Sequence, residues 1–379
     1  MMFEARFVGV ATVLLVIGAS SCAEVIQGLD VPYRSNSSSC QSPPAHVTSS
    51  GFQSLALGQG FLCAVRRSGR VVCMGRNTFG ALGTREVELS SWSDGIELNL
   101  SGIREVAAVG PFSVCALGVD GRVWCWGNNQ LGVLGNGRDE DEDCNLAPCR
   151  SSPTLVRGLP IISQITSGGV GVAAVGVDGS LWYWGAQLDD GGGQQVDLTH
   201  PHRSHYERVA HADVVSGHVI AYHRDGSVSG LAVVGVSTST VVVRVFRDAL
   251  GGVCAVDRSG RLQCNSPQND MHIDQACFSD GSSGFGTTCV VVQGGSVFCW
   301  GQNDYGECGI SPDSSVPCAE TLPRNTRCTV QPNEVWPTSR FTRVSVGSSQ
   351  ACAIRSDGVV WCWGNNWGRP SATPVEILR

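Results

Sequence analysis

Apolar residues in this chain come in short paired runs, four to six long, split by a tight polar turn. The clearest pair is Cys115-Ala-Leu-Gly, then Val119-Asp120-Gly121, then Val123-Trp-Cys-Trp-Gly127. Runs this short, bounded by glycine turns and rich in valine, cysteine and tryptophan, predict antiparallel hairpins rather than helices. A three-residue loop with glycine in third place fits a type I turn followed by a left-handed residue. The same unit recurs at Leu62–Gly75, Ala173–Gly185, Ile220–Gly230, Cys254–Cys264, Cys289–Gly301 and Cys352–Gly364, seven in all. Equivalent positions 73, 125, 183, 230, 264, 299 and 362 average about 48 residues apart, the length of a four-stranded propeller blade. Short strands ending in glycine, Val106–Gly110, Ile165–Gly169 and Val344–Gly347, precede hairpins and fit the rest of a blade.

Cysteine usage sharpens this. Five units carry two cysteines ten positions apart: Cys63/Cys73, Cys115/Cys125, Cys254/Cys264, Cys289/Cys299 and Cys352/Cys362. The other two units lack both, with Ala173/Tyr183 and Ile220/Gly230 in those places. Joint presence and joint loss at opposed strand positions is the signature of a disulfide. With 18 cysteines and no Cys-x-x-Cys, the chain fits an oxidising compartment better than zinc sites.

Segments after the strong hairpins read Gly75-Arg-Asn-Thr-Phe-Gly80-Ala-Leu-Gly83, Gly127-Asn-Asn-Gln-Leu-Gly132-Val-Leu-Gly135 and Gly301-Gln-Asn-Asp-Tyr-Gly306-Glu-Cys-Gly309, with a shorter Gly364-Asn-Asn-Trp-Gly368. On these residues the chain resembles the regulator-of-chromosome-condensation repeat family over about residues 51–379. The resemblance implies an all-β, seven-bladed β-propeller. It also implies that a Pro-Val-x-Val strand starts each next blade. Pro374-Val375-Glu376-Ile377-Leu378 has no next blade, so Val375–Leu378 is expected to pair into the blade of Phe52–Val72 and close the ring. The family's best-known activity, guanine-nucleotide exchange on a nuclear GTPase with chromatin binding, is disfavoured by the cysteines and the absence of a basic tail.

The N-terminal region carries its own signals. Phe7–Gly18 is apolar but too short to span a bilayer, and Arg6 precedes it. Ala19-Ser20-Ser21-Cys22 resembles a bacterial lipoprotein box with Ala in place of the usual Leu, which makes Cys22 the expected lipidation site; ordinary cleavage after Ala23 is the alternative. The expected organisation is a signal segment at 1–22, a flexible tether at 23–45 and a propeller at 46–379. The protein is then exported, to the outer membrane or cell surface as a lipoprotein or otherwise secreted, and meets the membrane only through a lipid anchor.

Among the remaining cysteines, Cys144 is expected to pair with Cys149 and Cys318 with Cys328, each within one loop. Cys308 aligns with Leu82 and Leu134 and is expected to be a buried thiol. Cys40 with Cys277 is the option left over. Long insertions, Thr84–Leu100, Asn136–Val156, Ala186–Arg203 and Ile310–Trp336, fall at one phase of the repeat and so on one rim, the default binding face. On it, Asp139, Glu140, Asp141, Glu142 and Asp143 form an acidic run, read as a solvated lip and the leading binding candidate. His200, His202 and His205 are a metal alternative, weighed against ordinary polar surface.

Net charge is −7 with no basic run, which disfavours nucleic acid. No nucleophile elbow, zinc-protease helix, P-loop or dinucleotide fingerprint is present, so no enzyme activity and no cofactor is expected. The expected function is a monomeric, disulfide-braced scaffold binding a protein or glycan at the loop rim, with a secreted enzyme inhibitor as the alternative.

Overall fold

The computed structural model describes residues 50–379 apart from 86–94, 138–140, 145–146, 187, 191–198, 232–241, 248–251, 258–259, 267–268, 274–276, 285 and 319–325. The expected signal segment and tether, with Cys22 and Cys40, lie outside the described residues, as do Asp139 and Glu140.

Strands group into seven antiparallel sheets in chain order. Blade 1 holds β1 (Phe52–Leu57), β2 (Phe61–Arg66), β3 (Val71–Gly75) and β4 (Ile96–Glu97). Blade 2 holds β5 (Ile103–Val109), β6 (Ser113–Gly118), β7 (Val123–Asn128), β8 (Glu142–Asp143) and β9 (Pro148–Leu155). Blade 3 holds β10 (Ile162–Gly168), β11 (Gly171–Gly176), β12 (Leu181–Gly185) and β13 (His202–Arg203). Blade 4 shows β14 (Val209–Val215), β15 (His218–His223) and β16 (Val228–Ser229). Blade 5 holds β17 (Val242–Arg247), β18 (Val253–Asp257), β19 (Leu262–Ser266) and β20 (Asn269–Ile273). Blade 6 holds β21 (Phe278–Gly284), β22 (Thr287–Val292), β23 (Val297–Gln302), β24 (Val316–Pro317) and β25 (Arg327–Val335). Blade 7 holds β26 (Phe341–Val346), β27 (Gln350–Arg355), β28 (Val360–Asn366) and β29 (Arg369–Leu378). First strands of successive blades lie side by side around the ring, β26 next to β1 included.

The core is divided. Seven apolar clusters lie one to each seam between neighbouring blades. Trp126, Trp184 and Trp363, from Trp-x-Trp-Gly strands, and Trp300, from Phe298-Cys-Trp-Gly301, are fully buried in four of them. Three of these indoles donate to a carbonyl of the preceding blade: Trp126 to Ala81 at 2.9 Å, Trp184 to Val133 at 3.0 Å and Trp363 to Glu307 at 2.7 Å. Each tryptophan thus fills the seam and satisfies its one polar atom across it.

The hairpin cysteines are opposed and bonded in all five pairs, with Cα atoms 3.9–4.2 Å apart: Cys63–Cys73, Cys115–Cys125, Cys254–Cys264, Cys289–Cys299 and Cys352–Cys362. All ten are fully buried in the seam cores, so they brace the blades and offer no binding surface. Cys144–Cys149 and Cys318–Cys328 are also bonded, making seven cystines among the described residues, a number that fits an oxidising environment. Cys277 is in a disulfide too, and the pairing with Cys40 lies outside the described residues. Cys308 is a buried thiol pushed well above its usual range by burial.

Ring closure differs from the expectation. Val375–Leu378 belongs to β29, which pairs with β28 inside blade 7 and not with blade 1. Val375 lies opposite Cys362 of its own blade, whereas Cys73, the equivalent cysteine of blade 1, has Ile96 of β4 as its outer neighbour. The reason is local. β28 and β29 are joined by Trp367 and Gly368, both at positive φ (56° and 89°), the turn that brings a strand straight back on its neighbour. The place beside Cys73 is already filled by β4, so no edge of blade 1 is left for a returning strand there. The Pro-Val segment is therefore the outer strand of its own blade, one phase earlier than the resemblance implied. Blade 7 meets blade 1 as other neighbours meet. The turn glycine of one blade accepts from the first strand residue of the next: Ile103 N–H to Gly69, Ile162 to Gly121, Val209 to Gly179, Phe341 to Gly295 and, at the closing seam, Phe52 to Gly358 at 2.8 Å. These glycines have two reasons to lack a side chain. Gly121 sits at φ 80°, and a Cβ there would come within 2.4 Å of Ile161 on the next blade.

Candidate functional site

The repeated loops meet at one end of the ring, where each blade's third strand stops. Asn77, Asn129 and Asn303 hold these loops from inside. Each side-chain oxygen accepts the N–H five residues on, from Leu82, Leu134 and Cys308, and each amide donates to a later carbonyl, of Thr84, Gly137 and Ile310. The glycines Gly80, Gly132 and Gly306 press against the next blade, where a Cβ would come within 2.5–2.8 Å of Ser151, Thr199 and Ala372. A Gly-x-Asn-x-x-Gly pattern thus encodes a loop locked within itself and against its neighbour.

Two blades extend this end. In blade 2, β8 adds a fifth strand to β9, and in blade 6, β24 does so to β25. Each added hairpin is tied by its cystine, Cys144–Cys149 and Cys318–Cys328. The insertions are therefore partly sheet: they contain the outer strands of their blades.

The acidic run is not a solvated lip where it is described. The Asp141 side chain is 5% exposed, accepts from the Asn129 amide at 2.8 Å and lies 3.5 Å from Arg150 Nε. Glu142 accepts from Ser151 at 2.7 Å and pairs with Arg85 of the blade 1 loop at 2.6 Å, which holds its carboxyl below the ordinary range. Only Asp143 of the three faces solvent. Asp141 is drawn inward by the enclosed Arg150, whereas Glu142 meets Arg85 at the surface. Glu142 also lies beside Cys144 and Cys149, but both sulfurs are in the cystine and offer no thiolate.

The histidines do not converge. His200 contacts Thr199, His202 packs on the Tyr183 ring, and His205 Nδ1 pairs with the buried Asp190 at 2.9 Å. No metal-ligating group among the described residues includes them.

A second polar region escaped the sequence reading. Every first strand carries a bulge at the same place, where two residues oppose one. In three blades the bulged residue is Ser163, Ser279 or Thr342, whose hydroxyl donates to a carbonyl of the second strand. The residue after the bulge forms a seven-membered ring on the innermost strands: Ser54, Glu105, Gln164, His211, Arg244, Asp280 and Arg343. Innermost strands have an unpaired edge. Side chains of the preceding blade cap it at one repeated N–H: Ser54 accepts from Val106 at 3.1 Å, Gln164 from Ala212 at 3.1 Å, Asp213 from Val245 at 3.2 Å and Asp280 from Val344 at 2.9 Å.

Charge gathers here. Asp213 is 4% exposed and is approached by Tyr222 Oη at 2.9 Å, Arg244 Nε at 3.2 Å and His211 Nε2 at 3.2 Å. Burial alone would raise its carboxyl, but Arg244 and His211 outweigh it and hold it well below the carboxylate range. Burial, helped by Arg244, keeps the His211 ring below its usual value. Glu105 and Asp280 are raised by burial, against the pull of Arg343 and Arg244 on both and of Arg104 on Glu105. That mutual influence joins blades 2, 5, 6 and 7. The arrangement can hold opposite charges apart in a half-buried space.

Comparison with known proteins points the same way for the fold. Models of the Regulator of chromosome condensation (RCC1) repeat match residues 120–175 and 294–354, and also 52–81, 103–133 and 278–307. The chain is 26% identical over 324 residues to the human E3 ubiquitin-protein ligase HERC2, covering 82% of this chain and 6% of that protein. It is 27% identical over 278 residues to the Ultraviolet-B receptor UVR8 of Arabidopsis thaliana, covering 69% of this chain and 56% of that protein. Yeast RCC1 (Prp20), solved with Kap60, superposes with a TM-score of 0.51 at 17% identity, over 86% of this chain and 74% of that one.

Proposed function

We propose, from its matches to the RCC1 repeat, that the chain is an exported binding scaffold that holds a protein at its loop end, at the cell surface when anchored through Cys22. The observation that carries this is the extension of blades 2 and 6. At one phase of the repeat each grows a fifth strand tied back by a cystine, a covalent constraint already in place before any partner arrives, which lowers the cost of binding. A glycan is the other ligand this end would suit. Fold and cystines support scaffolding, while the sequence signals before residue 46 support export.

The test is affinity capture from cells that make the protein, with the intact chain compared with one in which 138–147 is replaced by a short glycine linker. That replacement spares β9, which the blade needs. The expected outcome is loss of one or more captured proteins from a ring that still unfolds cooperatively, at a somewhat lower temperature because the cystine Cys144–Cys149 goes with the segment. Capture identical for the two proteins overturns the choice of binding end. Labelling with a palmitate analogue that disappears in Cys22→Ala checks the anchor.

A further inference from the structure

Of the seven residues after the bulges, Glu105 and Arg343 stand apart. Ser54, Gln164 and Asp280 spend their side chains on the next blade's N–H, and His211 and Arg244 are committed to Asp213. Glu105 occupies the same kind of position as Ser54, Gln164 and Asp280, yet makes no hydrogen bond or ion pair among the described residues. Arg343 is exposed and uses one nitrogen, Nη1, on the carbonyl of Thr342. These two opposite charges come from blades 2 and 7 and flank the small Ser54 of blade 1. They are close enough to act on each other electrostatically but form no ion pair. Arg104, beside Glu105, is turned towards blade 3, where its Nη2 donates to the carbonyl of Ser163, and so leaves Glu105 without a partner among the described residues.

We propose that the innermost ring binds a small zwitterion of the α-amino-acid class, its ammonium on Glu105 and its carboxylate on Arg343. Such a ligand places each of its charges against the complementary side chain, which neither a simple anion nor a simple cation does. It closes the gap over Ser54 without disturbing the caps at the other seams. The site is separate from the loop end and stands or falls without it.

The experiment uses the full chain. The twenty common α-amino acids are titrated singly by calorimetry, with acetate and methylamine as half-ligands. At least one amino acid should bind saturably and stoichiometrically, and neither half-ligand should do so at the same concentration. Glu105→Gln and Arg343→Gln should each weaken that binding by about tenfold or more, the loss expected for one charged hydrogen-bonding partner. Arg122→Gln, on an exposed turn, should leave it unchanged. Circular dichroism and melting of each variant show that the ring is intact. Absence of saturable binding by every amino acid overturns the proposal. So does equal binding of acetate alone, which would mean an anion site only, or binding indifferent to both substitutions in folded protein.

Discussion

Glu307 occupies the place of Ala81 and Val133 in the repeated loop, yet only 1% of it is exposed. Burial pushes its carboxyl up to about 7, against the N–H of Tyr305 donating to it at 2.8 Å. The folded chain therefore keeps this proton at a pH where the unfolded chain, near 4.5, has released it. The stability that protonation carries is complete below about pH 4.5 and lost as pH rises through about 7. A shift of this size corresponds to about 3 kcal/mol. Glu307→Gln should be about as stable as the parent at pH 4 and more stable by about 2–3 kcal/mol at pH 8. Urea midpoints at the two values measure it, and an equal gap at both would show that Glu307 is not the source. Residues of this kind are hard to read in a sequence. Alignment with Ala81 and Val133 was available for Glu307, but nothing in the pattern says that the position is enclosed. Glu105 and Asp280 pose the same difficulty, because an isolated polar residue in a strand reads as solvent-facing unless the bulge before it is known.

Elements with covalent or turn chemistry were the legible ones. Glycine turns and paired cysteines located the hairpins β2–β3, β6–β7, β18–β19, β22–β23 and β27–β28 with their registers. Outer strands were not legible. β4 and β13 are two residues long, too short to show an alternation of period two. They lie inside segments whose length suggested loops alone. The phase slip that sent Val375–Leu378 to the wrong blade, beside Cys73 rather than Cys362, has the same origin: β4 already holds that place and was invisible in the pattern. Each hairpin cystine closes a short loop in its own seam core, so its removal should act locally. Replacing Cys115 and Cys125 together by alanine should cost about 3 kcal/mol. Doing the same at Cys289 and Cys299, four blades on, should add a similar amount, and the two losses should sum within about 0.5 kcal/mol. Denaturant melts of the two double variants and their combination test this, with strong non-additivity as the contrary result.

For the whole molecule, the important fact is that closure needs no exchanged strand. The bond from Phe52 N–H to Gly358 repeats the one at Ile103, Ile162, Val209 and Phe341, and the last seam has its own apolar cluster. If the seams are equivalent, the position of the break in the chain should matter little. A circular permutant opened at Gly158, where added atoms would meet nothing within 4 Å, and joined by a flexible linker between residues 379 and 36 so that Cys40 is kept, should melt within a few degrees of the parent. A large drop would mark the seam between blades 7 and 1 as privileged. The sequence carried the number of blades, because turns and cysteines repeat. It did not carry the manner of closure, which depends on backbone groups that every residue type shares.

The seven cystines among the described residues all join positions five or ten apart. Segments of that length make end-to-end contact in roughly 10–100 ns, far faster than a thiol is oxidised. As the chain emerges from a pore or ribosome, each pair can be joined while later blades are still unmade. Oxidation of these pairs can therefore proceed in chain order, with Cys308, nine residues from Cys299 and ten from Cys318, as the competing thiol. Long-range cystines in their place would instead have kept early cysteines waiting, exposed to wrong partners, until the last blade arrived.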